Sequence, residues 1–228
     1  YDQYLESIFS EYKSNSVNEL ILDLRYNPGG SINSALILAS LITGQFENDI
    51  FNTEEWNTEI QNYWINNNPE YLVNRFLSLE SSLNLNRVFI LTTRSSASAS
   101  ELIINCLDPY IDVIQIGTTT YGKYQASVTL YDSENFSNQN INPSHNYAIQ
   151  PLVLKTLNVL GITDYFNGIN PEYDFEEKVY NMGIIGDLSE PMLNFAMGLI
   201  NSRTEINIQP ETLEFVDDNF KFDFLKRE

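Results

Sequence analysis

Apolar positions fall along this chain in short runs and helical stripes. Residues 2–13 place Tyr4, Leu5, Ile8 and Phe9 on one side of a helical projection, which predicts an amphipathic helix. The polar break Ser14-Asn15-Ser16 ends it. Leu20 to Leu24 is short, apolar and bounded by turn residues, the pattern of a buried strand. It runs into Arg25-Tyr26-Asn27-Pro28-Gly29-Gly30, where Asn, Pro and paired Gly predict a tight turn with bare backbone N–H groups. Ser31 is placed to cap a helix carrying Ala35, Leu36, Leu38, Ala39 and Ile42, and Gly44 to end it.

The same plan recurs downstream. Val88 to Thr93 predicts a second buried strand, and the small residues Ser95 to Ser100 predict a tight turn. Leu102, Ile103, Cys106 and Leu107 then mark a helix. Val113 to Gly117 predicts a further strand that leads into Thr119-Thr120-Tyr121-Gly122-Lys123. Two strand–turn–helix units predict an α/β fold, layered, with a mainly parallel sheet and crossover helices. Residues 46–86, between the units, are Asn-rich, with Trp56, Tyr63 and Trp64 spaced for short helices. A helical insertion leaning on the core is expected there.

Beyond Lys123, Ala126 to Tyr131 reads as a strand and 132–146 as a polar loop. Tyr147 to Leu154 reads as a strand that Pro151 makes an edge or a bent one. Turn signals crowd 161–188, and Ser189 with Met192, Leu193, Ala196, Met197 and Ile200 predicts a capped final helix. From Asn201 the chain is charged and weakly patterned. The expected organisation is an N-terminal helical segment at 1–16, a core at 17–200 and a tail at 201–228.

Composition narrows the possibilities. At 228 residues, 43% hydrophobic and 13% aromatic, the chain can bury an ordinary core. A net charge of −19 removes the cationic footprint that nucleic acid or an anionic membrane requires. The single cysteine, Cys106, excludes a disulfide within the chain and falls on an apolar helix face. No run approaches the roughly 20 apolar residues of a helical membrane span. The chain begins at Tyr1 without a methionine or signal peptide, so a piece of a longer protein is expected.

The turn at Ser98 is the strongest chemical signal. A serine there has its hydroxyl at a strand's carboxyl end, beside backbone N–H groups that open a helix and favour negative charge. Such a nucleophile needs a base. A Ser-His-Asp triad would have to use His145, the one histidine, in a polar loop. Zinc is poorly served by one His and one Cys. Glu176-Glu177 and Asp217-Asp218 lack calcium-loop spacing, and no phosphate loop is present, so no metal or cofactor is expected. The other base is Lys123. A lysine ordinarily titrates near 10.4, so it must lose about three units to accept a proton at neutral pH. Burial supplies shifts of roughly 3–5 units, and Tyr121, Tyr124 and the insertion are candidates to provide it. The plain alternative is that Ser98 sits in a packing turn and Lys123 is a surface charge.

Three segments, in order, resemble the carboxyl-terminal processing (tail-specific) serine proteases, a largely bacterial family. Ile21-Leu22-Asp23-Leu24-Arg25-Tyr26-Asn27-Pro28-Gly29-Gly30 is similar to that family's DLRxNxGG stretch. Ser96-Ala97-Ser98-Ala99-Ser100-Glu101 is similar to its [ST]ASASE turn, and Thr120-Tyr121-Gly122-Lys123 to its T[FY]GK. Residues 147–200, with Asn167-Gly168-Ile169-Asn170-Pro171, extend the resemblance. It implies a ClpP/crotonase-like layered core. It implies Ser98 as nucleophile, Lys123 as general base, and the N–H groups of Gly30 and Ala99 as oxyanion hole. The family's lysine-orienting glutamine, four residues after the lysine, is replaced here by Ser127, with Gln125 two residues earlier. Positions 123, 125 and 127 share a strand face, so either could orient the lysine. The interval between Gly30 and the nucleophile turn is longer than usual. The resemblance implies endopeptidase action on unfolded or C-terminally tagged protein or peptide, a PDZ domain upstream, and a periplasmic or cell-surface setting. The rival readings are an inactive peptide-binding scaffold and a crotonase-like acyl-CoA enzyme, which needs a basic nucleotide site.

Overall fold

The structure, a computed structural model, describes residues 2–201. In chain order its elements are α1 (Asp2–Ser14), β1 (Ile21–Asp23), α2 (Ile32–Thr43), β2 (Ile50–Trp56), α3 (Thr58–Asn67), β3 (Val73–Arg75), β4 (Arg87–Thr92), α4 (Ala99–Leu107), β5 (Asp112–Gly117), β6 (Gln125–Ser127), β7 (Leu130–Tyr131), β8 (Ala148–Ile149), β9 (Leu152–Leu157), β10 (Tyr173–Asp174) and α5 (Pro191–Asn201).

One sheet has the order β1-β4-β5-β10, and every pairing in it is parallel. Alternate residues of β4 feed opposite cores. Val88 and Ile90 join a large cluster with α1, α2 and α4, while Phe89 and Leu91 join Ile116 beneath Met192 and Ala196 of α5. Burial on both faces explains why β4 reads as a continuous apolar run. Ser31 caps α2 by accepting from the Ser34 N–H at 3.3 Å, and Gly44 ends it at φ +78°. The layered α/β core with a mainly parallel sheet and flanking helices is thus the observed architecture.

The structure adds a second sheet, antiparallel throughout, in the order β3-β2-β9-β6. Segment 46–86 supplies two of its strands. The expected helix is present as α3, but β2 pairs with β9 over four residues from Thr53 to Trp56, and β3 pairs with β2. Polar Asn52, Thr53, Glu54 and Glu55, together with a register irregularity between Ile50 and Asn52, hide this strand from a periodicity reading. The segment leans on the core through Phe51, Phe76, Phe46 and Tyr110, whose rings meet at 4.8–6.1 Å.

Other boundaries also differ. The expected strand at 126–131 is split into β6 and β7. Pro151 divides the strand expected at 147–154 into β8 and β9, and β9 lies between β2 and β6 rather than at an edge. The final helix starts at Pro191, a residue suited to the first turn, so Ser189 stands one position too early to cap it. The tail from residue 202 lies outside the described residues.

Candidate active site

All four parallel strands point the same way, so the segments that follow them gather along one rim, where ligands meet open α/β sheets. The Asn27–Gly30 turn follows β1, the Ser98 turn follows β4, and Thr118–Lys123 follows β5.

The Ser98 turn is held from every side. Ser98 has φ +58° and ψ −116°, a strained conformation for a residue with a side chain that costs roughly 1–3 kcal/mol. Hydrogen bonds hold it there. The Ser96 hydroxyl donates to the Leu24 carbonyl at 2.7 Å, and the Ala97 N–H and the Ser100 hydroxyl both donate to the Asn27 carbonyl, at 3.1 and 3.0 Å. The small residues of this stretch are therefore tethers that only small side chains reach. Gly29 lies directly against the turn at φ +89°. A Cβ there would stand 2.5 Å from the Ala97 carbonyl oxygen and the Ala99 nitrogen. The Gly29 N–H is taken by Asn27 Oδ1 at 2.9 Å. No hydrogen bond among the described residues uses the N–H of Gly30 or of Ala99.

One carboxylate ties the serine turn to the lysine segment. Glu101 is wholly buried. Its Oε1 accepts from the Thr120 hydroxyl and the Gly122 N–H, both at 2.6 Å. Its Oε2 accepts from the N–H of Ser98 and the N–H of Lys123, both at 2.8 Å. The backbone nitrogens of the two candidate residues are therefore no further apart than twice that distance. An acceptor with two oxygens suits four converging donors. Sequence reasoning gave Glu101 no role. Its signal was the Ser-x-x-Glu spacing of a capping box, with Ser98 before the helix and Glu101 in its first turn.

The lysine side chain departs from expectation. Lys123 is exposed, and the described residues do not form the apolar pocket expected around it: Tyr121 is 58% exposed, and Tyr124 packs edge-on against Tyr165 at 6.4 Å. The exposed pattern at 123, 125 and 127, with half-buried 124 and 126 between, places Lys123, Gln125 and Ser127 on one open face. A register shift falls between Ala126 and Ser127, so only Gln125 follows Lys123 in regular alternation.

The Asp23-Leu24-Arg25 stretch also has a structural use. The Arg25 side chain, 6% exposed, pairs with Asp23 and Glu177, each at 2.6 Å, and with Glu190. The hydrogen bonds that it donates to Asp23 are the main reason that the guanidinium is held even more firmly protonated than usual. The Tyr26 hydroxyl donates to Glu177, and burial, with that carboxylate behind it, pushes the phenol up to about 12. His145 bonds Asp132 at 3.1 Å and the Tyr147 N–H at 3.1 Å within its own loop, and no contact joins it to Ser98. Among the described residues no three His, Cys, Asp or Glu side chains gather as for a metal ion.

None of the curated proteins matches the chain. Solved structures do. A Bacteroides fragilis protein assigned to the S41 proteases is 27% identical with a TM-score of 0.73, over 90% of this chain and 50% of its own. A photosystem II D1 C-terminal processing protease is 18% identical with a TM-score of 0.52, over 76% of this chain and 38% of its own. A Streptococcus agalactiae lipoprotein is 17% identical with a TM-score of 0.50, over 87% and 62%. The two more distant likenesses show the fold alone, and the chain spans only part of each protein. A family model under the description Peptidase family S41 matches residues 1–142. That stretch holds all three motif turns and most of the chain, and on it the protein belongs to peptidase family S41.

Proposed function

We propose that this chain is the catalytic part of a serine endopeptidase acting on unfolded or C-terminally tagged proteins through Ser98 and Lys123. The observation that carries the reading is the shared carboxylate of Glu101, which accepts from the N–H of both residues and so keeps two turns, 25 positions apart, as one unit. In this reading Ser98 Oγ attacks the scissile carbonyl while Lys123 Nζ takes its proton and later passes it to the leaving amine. The oxyanion meets the N–H groups of Gly30 and Ala99, each worth on the order of 3 kcal/mol in such a site. Gln125 or Ser127 orients the lysine. A peptide lying over the open face of residues 123–127 excludes water from the amine, which the empty site does not.

A second reading, a peptide-binding scaffold without activity, draws on the exposure of Lys123. Labelling with a fluorophosphonate separates the two. The unsubstituted protein is expected to label, and Ser98→Ala and Lys123→Ala are expected to lose labelling and hydrolysis of an unfolded protein while keeping the fold by circular dichroism. An unlabelled, inactive parent protein would favour the scaffold. An acyl-CoA reading has no basic nucleotide site to support it in a chain of charge −19. By family resemblance the whole protein carries an upstream PDZ domain and works in the periplasm or at the cell surface. The lipoprotein among its structural relatives is consistent with that setting, and no described helix is long and apolar enough to cross a membrane.

A further inference from the structure

The segment after the fourth parallel strand has no part in the chemistry above. β10 lies at one edge of the sheet and β1 at the other. Residues 175–190 carry the chain back along the rim towards β1, because Glu177 and Glu190 both reach Arg25. The two feet of this strap are acids, Glu190 buried and Glu177 half-buried, that share the buried guanidinium of Arg25, and Gly186 N–H donates to Glu190 at 3.1 Å. Between the feet the side chains face solvent. Val179 is 90% exposed and Ile185 85%, the most exposed large apolar side chains among the described residues, and Tyr180, Ile184 and Leu188 are exposed with them. Single exposed apolar residues are ordinary, but five within ten positions, fixed at both ends, are not.

The strap is coupled to the site. Glu177 accepts from the Tyr26 hydroxyl, and Tyr26 immediately precedes Asn27, whose carbonyl holds the Ser98 turn. We propose that the outer face of this strap is a docking surface for an extended, apolar, non-acidic stretch of polypeptide whose neighbouring residues enter the Ser98 site. The proposal rests on the peptidase reading for its purpose. Charge selects the occupant: at −19 the protein repels acidic segments and attracts those carrying Lys or Arg between apolar residues. A second copy of the chain brings the same charge, which opposes self-association.

The test is run in Ser98→Ala protein, so that binding is read without turnover. Fluorescence anisotropy follows a labelled, unstructured peptide rich in Leu, Val and Lys, and its counterpart with Glu in place of Lys. The Lys peptide is expected to bind about 10-fold more tightly than the Glu peptide. Ile184→Asn with Ile185→Asn is expected to weaken the Lys peptide about 10-fold, as is Val179→Asn alone to a smaller degree. These side chains are largely exposed, so melting temperature is expected to change little. Absence of binding to the unsubstituted strap, or affinity unchanged by both sets of substitutions, overturns the proposal. A fall in oligomeric mass with unchanged peptide affinity also overturns it, in favour of contact between copies. Loss of the peptidase reading would show separately, as an unlabelled parent protein.

Discussion

The serine turn and the lysine segment are built to different standards. Ser98 sits in a strained backbone conformation enforced by hydrogen bonds from Ser96, Ala97 and Ser100, by its own N–H bond to Glu101, and by a glycine packed against it. Lys123 shares the same buried carboxylate at its backbone, yet its side chain stands on an open strand face. In the proposed reading the nucleophile and its oxyanion donors are thus set before substrate arrives, because backbone cannot be reorganised cheaply. The proposed base is held only through its backbone N–H, and in that reading a bound peptide supplies the dry surroundings. That contrast can be broken or sharpened by substitution.

The largest effect is expected at Glu101. Glu101→Ala leaves four donors without their acceptor and is expected to cost on the order of 4 kcal/mol, read by denaturant unfolding, together with loss of fluorophosphonate labelling. If labelling survives at the parent rate, the two turns are not held together by this carboxylate. Gly29→Ala comes next. It places a Cβ against the Ala97 carbonyl and the Ala99 N–H at a positive φ, with an expected cost of about 2 kcal/mol. Displacement of the Ala99 donor is expected to lower kcat about 100-fold with KM little changed. Gly30→Ala, where a Cβ meets nothing within 4 Å, is the control and is expected to be much milder in stability.

On the lysine side the effects are smaller. Gln125→Ala is expected to lower kcat about 10-fold and Ser127→Ala less, because the register shift interrupts the regular alternation before Ser127. The reverse order would assign the orienting role to Ser127. The smallest effect is at high pH. The Tyr26 phenol titrates near 12 in the folded protein against 10.0 ordinarily. A group whose pKa is raised by folding lends stability that is complete below 10 and lost as pH rises through about 12. Tyr26→Phe is expected to flatten the alkaline limb of the stability profile and to remove one late-titrating phenol from the ultraviolet difference spectrum.

Much of the parallel half was legible from residue order. Apolar runs at 20–24 and 88–93, small or glycine-rich turns after them, and a capped helix beginning at Ser31 are local features, and local rules decide them. The antiparallel half was not. β2 is mostly polar and has strand character only because β9, about a hundred residues later, lies beside it. The strap at 175–190 reads as a string of turns, and nothing near it in sequence announces that Arg25 holds both ends. The Ser-x-x-Glu spacing of Ser98 and Glu101 was open to a capping reading that sequence reasoning did not make, and the bonds of Glu101 to Thr120, Gly122 and Lys123 depend on β4 and β5 pairing in register.

Sequence alone therefore determined the elements of the parallel half, the order of the three motif turns and the residue types proposed to serve a serine nucleophile, because short-range periodicity and turn chemistry act within a few residues. Tertiary structure alone decided which turns share a carboxylate, that Lys123 faces water, and that one buried arginine closes the rim. Those are distances between residues far apart in the chain, and they are set by the packing of the sheets.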